Sequence, residues 1–184
     1  MASASTLLGA LRTNARACNT TFEALLEPTA ELKAQLKQFE SATKQYGRTI
    51  TSMQRSIGAV TSSTTAYLAA YARVREEIRN TDLRAAMLMR RESIEKQLGD
   101  MQVGLADLLT SCETLTRELK DLELFLSANL NPQGVAQSAV VGEAIRTAIA
   151  GIENSADRVS LELKDLGASL ATERAAEAST PAPL

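Results

Sequence analysis

Twenty-one consecutive heptad positions, all in one phase, constrain this chain more than any other feature. Stepping alternately three and four residues from Leu8 gives Leu8, Leu11, Ala15, Cys18, Phe22, Leu25, Thr29, Leu32, Leu36, Phe39, Thr43, Tyr46, Ile50, Met53, Ile57, Val60, Thr64, Tyr67, Tyr71, Val74 and Ile78. Seventeen are apolar or aromatic, Cys18 behaves as apolar, three are threonine and none is charged. A stripe repeating every 3.5 residues is a left-handed coiled-coil seam. Drawn as one helix it would reach roughly 100 Å at 1.5 Å per residue.

Pro28 interrupts the stripe without changing its phase. Proline removes one helical hydrogen bond and clashes with the preceding turn, so a kink is expected there, or a break that restarts at once with Pro28 in the first turn of the next helix. The phase is lost further on. A second run, Ile94, Leu98, Met101, Leu105, Leu108, Cys112, Leu115, Leu119, Leu122 and Leu126, sits one residue out of step with the first. Between the runs lies Arg79-Asn80-Thr81-Asp82, rich in turn and N-cap residues. Either a helical hairpin turns near residue 80, or one helix skips register there. The arms on either side of residue 80 are nearly equal in length, as an antiparallel hairpin requires, and the hairpin is the preferred reading.

Asn131-Pro132-Gln133-Gly134 is the next stop signal. A third helix is expected after it, with a stripe of Val141, Ile145, Ala148, Ile152, Val159, Leu163, Leu166 and Leu170 that slips near Ser155. The expected fold is therefore all-α: a long antiparallel helical hairpin plus a third helix, forming a coiled-coil or elongated helical bundle. Its parts are an amphipathic segment at 1–27 in phase with the next helix, long helices at 28–80 and 82–130, a third helix at 135–177 and a disordered tail at 178–184. Residues 1–27 are expected to overhang the bundle or to pair with another chain.

Composition narrows the chemistry. The 184 residues include no His and no Trp, three Phe and three Tyr. A thin aliphatic seam needs few aromatics. Without His, the Ser-His-Asp and Cys-His nucleophiles, the HExxH zinc sites and the ExxH di-iron bundles drop out. Adjacent acids such as Glu76 and Glu77 point about 100° apart on a helix and do not converge. No glycine-rich phosphate loop is present. No catalytic, cofactor-binding or metal-binding residue is expected, and the chain is read as a non-enzyme. Cys18 and Cys112 fall on the seam and read as small buried apolar residues in a reducing compartment, so a cytoplasmic location is expected. Residues 1–22 carry Arg12 and Arg16 and no acid, which makes a mitochondrial presequence the alternative. The unbroken phase argues instead that this segment belongs to the fold.

Three surface features bear on function. First, Tyr46, Tyr67 and Tyr71, with Thr29, Thr43 and Thr64, put polar atoms on the seam, where they can fix register or partner choice. Second, Thr49 to Ala72 holds one charge, Arg55, and nine Ser or Thr. A solvated helix face normally carries many charges, so burial on more than one side is expected. Third, six arginines, Arg73, Arg75, Arg79, Arg84, Arg90 and Arg91, against Glu76, Glu77 and Asp82 make the hairpin tip basic by three charges. That patch suits an acidic partner, but no aromatics interleave to stack bases, which disfavours nucleic acid.

The expected function is that of a non-catalytic coiled-coil structural or assembly subunit, a scaffold that works by helix–helix association with itself or with other helical chains. The seam residues that would carry it are Leu32, Leu36, Phe39, Tyr46, Ile50, Met53, Ile57, Val60, Tyr67, Tyr71, Val74, Ile78, Leu98, Met101, Leu105, Leu108, Leu115, Leu119, Leu122 and Leu126. The alternative is a membrane-surface module. Long antiparallel helices, a leading amphipathic segment and a basic patch resemble the BAR-domain layout in architecture, with no diagnostic motif. A lipid-droplet or granule coat is a variant of the same idea.

Overall fold

A computed structural model describes residues 2–27 and 31–178, with side chains described for 4–27 and 31–171. Of the described residues about 95% are helical, most of them in four long helices. They are α1 (Ala2–Leu26), α2 (Leu32–Glu77), α3 (Thr81–Ala128) and α5 (Gly142–Ala178). A short helix α4 (Pro132–Ser138) and one 3-10 turn (Ala139–Val141) lead into α5.

The hairpin between α2 and α3 is present. Asn80 ends the turn and caps α3, its Oδ1 accepting from the backbone N–H of Asp82 at 2.9 Å and of Leu83 at 3.0 Å. Further along, Tyr46 of α2 donates across to the Cys112 carbonyl of α3. The stop after α3 is capped in the same way, with Asn131 Oδ1 accepting from Gly134 N–H at 2.9 Å and Pro132 in the first turn of α4. Gly134 is required there, because a Cβ would lie 2.1 Å from the Asn129 carbonyl oxygen.

The expectation for residues 1–27 is corrected. The described residues 2–27 do not overhang the bundle but pack within it. Helix α1 folds back antiparallel along α2 and runs beside α5. The Phe22 and Phe39 rings meet at 6.2 Å between centroids. Gln35 Nε2 donates to the Ala24 carbonyl at 3.0 Å, and Asn14 Nδ2 to Thr49 Oγ1 at 2.8 Å. On the other side Arg12 pairs with Asp157 at 2.6 Å and Arg16 with Glu153 at 2.5 Å. Pro28 and Thr29, where the kink or restart was expected, lie outside the described residues. The shared heptad phase has a simple origin: each helix independently turns the same stripe into one core. Leu8, Leu11, Ala15, Cys18, Phe22 and Leu25 are all buried, as are Leu36, Phe39, Tyr46, Met53 and Ile57.

Helix α5 lies antiparallel to α3. Gly104 faces Val159, Gly151 faces Ser111, and Arg158 pairs with Asp107. The single third helix expected after Gly134 is α4, the 3-10 turn and α5 in succession. Residues 179–184, most of the expected tail, lie outside the described residues, and α5 continues through Ala178. The result is an up-down-up-down bundle in which α1 and α3 are diagonal, as are α2 and α5. Among the described residues no helix is long and apolar enough to cross a membrane.

The helices differ markedly in length. With 25 residues against 46, α1 is about 38 Å long and α2 about 69 Å. The Phe22–Phe39 and Asn14–Thr49 pairs fix a register in which the start of α1 at Ala2 falls near Ala59 to Thr61 of α2. Four helices therefore surround the core at one end, and α2, α3 and α5 alone continue to the hairpin tip.

Candidate helix-docking edge

The α1-facing edge of α2 consists of two heptad positions, which can be followed along the helix. One is Thr49, Ser56, Ser63 and Ala70; the other is Met53, Val60, Tyr67 and Val74. Beneath α1 they are covered: Thr49 is 6% and Met53 1% exposed, and Ser56 is half-buried. Val60, level with the start of α1, is half-buried. Past it the edge emerges: Tyr67 is half-buried, Ser63 and Ala70 are exposed, and Val74 is 53% exposed. Val74 thus departs from its expected seam burial because the helix that would cover it has ended.

The rest of this stretch carries no charge between Arg55 and Arg73. Its outward residues are small: Gly58, Ala59, Ser62, Ser63, Thr65, Ala66, Ala69 and Ala70 are exposed. Burial on more than one side therefore holds for the half of α2 under α1 and not for the half beyond it. Tyr67 and Tyr71 stack along the helix with centroids 5.9 Å apart, both half-buried.

The remaining seam residues sit as follows. Leu98, Met101, Leu105, Leu108, Leu115, Leu119, Leu122 and Leu126 of α3 are buried, while Leu32, Ile50 and Ile78 of α2 are half-buried. Thr64 is buried and Thr43 half-buried. Sequence reasoning missed the covering of this seam by α1. The pairing of Arg12 and Arg16 with Asp157 and Glu153 was the available signal, since those acids and bases are spaced alike on their helices.

Structure divides the six tip arginines. Arg84 donates through Nε and Nη2 to the Ile78 carbonyl at 3.1 and 2.6 Å, closing the end of α2. Arg90 donates to the Ser169 carbonyl of α5, and Arg91 pairs with Glu95 at 2.8 Å one turn on. Arg73, Arg75 and Arg79 make no ion pair with another described residue. On the first turns of α3, Leu83 is 57% and Met89 71% exposed, and Leu88, which lines a shallow pocket with Arg75, is 41% exposed.

The interior thiols and the Tyr46 phenol are held in their neutral forms. Burial pushes the Cys18 thiol up to about 12 and the Cys112 thiol to about 11, and raises Tyr46 as well. Neither thiol is a thiolate near neutral pH, so neither is a ready nucleophile. Burial also raises Glu123 and Glu162. Among the described residues no three side chains of the His, Cys, Asp and Glu types gather where they could hold a metal ion. Comparison with family models, curated proteins and solved structures finds no match for this chain.

Proposed function

We propose that this chain is a non-catalytic helical assembly subunit, acting by helix–helix association through the part of α2 that α1 leaves uncovered. One observation carries the reading: two heptad positions buried beneath α1 continue in register past Val60 to Tyr67 and Val74, where no α1 residue lies opposite them. An apolar seam gains stability only when another helix covers it. The buried, unpaired cysteines support a reducing, cytoplasmic setting. The test is association of the purified full chain, and recovery of stoichiometric chains from its native source, for the wild type and for Val74→Glu. Loss of association in Val74→Glu with unchanged helicity supports the reading. Equal recovery by both proteins overturns it.

A second reading rests on the tip. Exposed Leu83, Leu88 and Met89 on the first turns of α3, with Arg75 sharing a pocket with Leu88, make a basic, partly apolar end suited to an anionic membrane surface. Sedimentation with phosphatidylserine vesicles at low and physiological salt tests it. No binding in either condition eliminates it.

A further inference from the structure

We infer that Ser93 is a phosphorylation site for a kinase that reads arginines two and three residues before its serine, and that the phosphate releases the end of α5 from α3. The site lies on α3 and does not depend on the helix-docking edge, which belongs to α2.

The recognition element is Arg90-Arg91-Glu92-Ser93, which holds the one pair of adjacent arginines in the chain. A kinase whose substrate groove is acidic ahead of the serine selects such a segment by charge, and the planar guanidinium suits carboxylates. Access is provided by the unpacked tip. Ser93 is exposed, and no residue from Ala69 to Ser93 is buried. The packed core of α3 begins at Ile94, which is 0% exposed. A helical serine must be unwound to enter a kinase active site. Fraying α3 from Thr81 to Ser93 uncovers no buried side chain, which makes it a low-cost opening. In the transfer the γ-phosphoryl group of ATP passes to Ser93 Oγ, ADP leaves and the hydroxyl proton is released.

The consequence follows from where Ser93 sits. Residues seven apart share a face of a bundled helix. Arg90 is in column with Gly104 and Ser111, both of which face α5. Ser93 is in column with Asp107, which pairs with Arg158 of α5. Ser93 therefore lies on the rim of α3 beside α5, one turn from where Arg90 donates to the Ser169 carbonyl. A phosphate there adds about −1.5 to −2 charges at pH 7. Arg90 and Lys96 lie three residues to either side of it, within reach on the same face. Arg91 is already paired with Glu95, and Glu92 points about 100° away. Opposite this turn, from Asp165 to Thr172, α5 carries one charge and it is negative. The phosphate thus finds its cations on α3. As a charged acceptor it outcompetes the neutral Ser169 carbonyl for Arg90, and α5 loses that tie.

The test uses the full chain with ATP and the catalytic subunit of cyclic-AMP-dependent protein kinase. Intact mass and peptide mapping should show one phosphate on Ser93, absent in Ser93→Ala and added at least ~10-fold more slowly in Arg91→Ala. Hydrogen exchange from Leu166 to Ala171 should be at least ~5-fold faster in the phosphorylated chain, with helicity retained. Unphosphorylated Arg90→Ala should show the same acceleration, because it lacks the same tie. No phosphate on Ser93, or equal rates for the wild type and Arg91→Ala, overturns the inference. Phosphate on Ser93 with α5 exchange unchanged overturns it as well.

Discussion

The phenol of Tyr46 donates to the backbone carbonyl of Cys112 at 3.4 Å, joining α2 to α3 inside the bundle. The same carbonyl accepts from Thr116 Oγ1 at 2.7 Å. Removing the Tyr46 hydroxyl therefore leaves no unsatisfied acceptor. Tyr46→Phe should cost about 0.5–1 kcal/mol, the low end for a long hydrogen bond. Tyr46→Ala opens a cavity where a ring 1% exposed now packs, and should cost about 3–5 kcal/mol. Urea unfolding midpoints separate the two.

Apolar packing, more than its ion pairs, should hold α1 in place. Phe22 is fully buried against Phe39. Phe22→Ala should cost about 3–5 kcal/mol and loosen α1 first. Arg16→Ala removes a surface pair with Glu153 and should produce only a small shift in Tm that vanishes at high salt. Thermal unfolding at low and high salt checks both.

Stability should fall at alkaline pH. Cys18 and Cys112 titrate near 12 and 11 when folded, above the ordinary 9.0 of an exposed thiol. The folded state thus keeps protons that the unfolded state releases. The contribution is complete below pH 9 and is lost as pH rises through 11 and 12. Replacing both cysteines with alanine should flatten the decline of Tm with pH above 9. Native thiols should also react slowly with a disulfide reagent at pH 8, and fast in denaturant.

Two glycines should respond in opposite senses to alanine. At Gly58 a Cβ meets nothing within 4 Å and the site is an exposed helix interior, so Gly58→Ala should stabilise by about 0.5–1 kcal/mol. At Gly134 the Cβ would strike the Asn129 carbonyl and Asn129 Cβ, and Gly134→Ala should destabilise by about 1–3 kcal/mol. Denaturant midpoints of the two variants give the signs.

The legible part of this fold was the part governed by local chemistry. Heptad spacing marked the inward faces of α2 and α3, Asn80 marked the hairpin, and Asn131 with Pro132 marked the next stop. The path of α1 was not legible, because a helix that continues and a helix that folds back can present the same phase. Only contacts far apart in sequence, such as Asn14 with Thr49 and Arg12 with Asp157, separate the two. The docking edge was half legible. Its missing charges were visible in residues 56–72, whereas its uncovering depends on where α1 begins along α2. The basic patch was visible as composition, but the turn spends Arg84 on the Ile78 carbonyl.

The short reach of α1 also gives the molecule a gradient of local stability. Amides beneath α1 must await the opening of four packed helices, while those beyond it need only part of the hairpin to fray. Hydrogen exchange in the free chain should therefore be fastest from about residue 60 to residue 93, slowest around Tyr46 and Leu115, and proteases should nick the tip first. Whatever helix seats on that edge would slow exchange there most, so protection factors would report occupancy residue by residue.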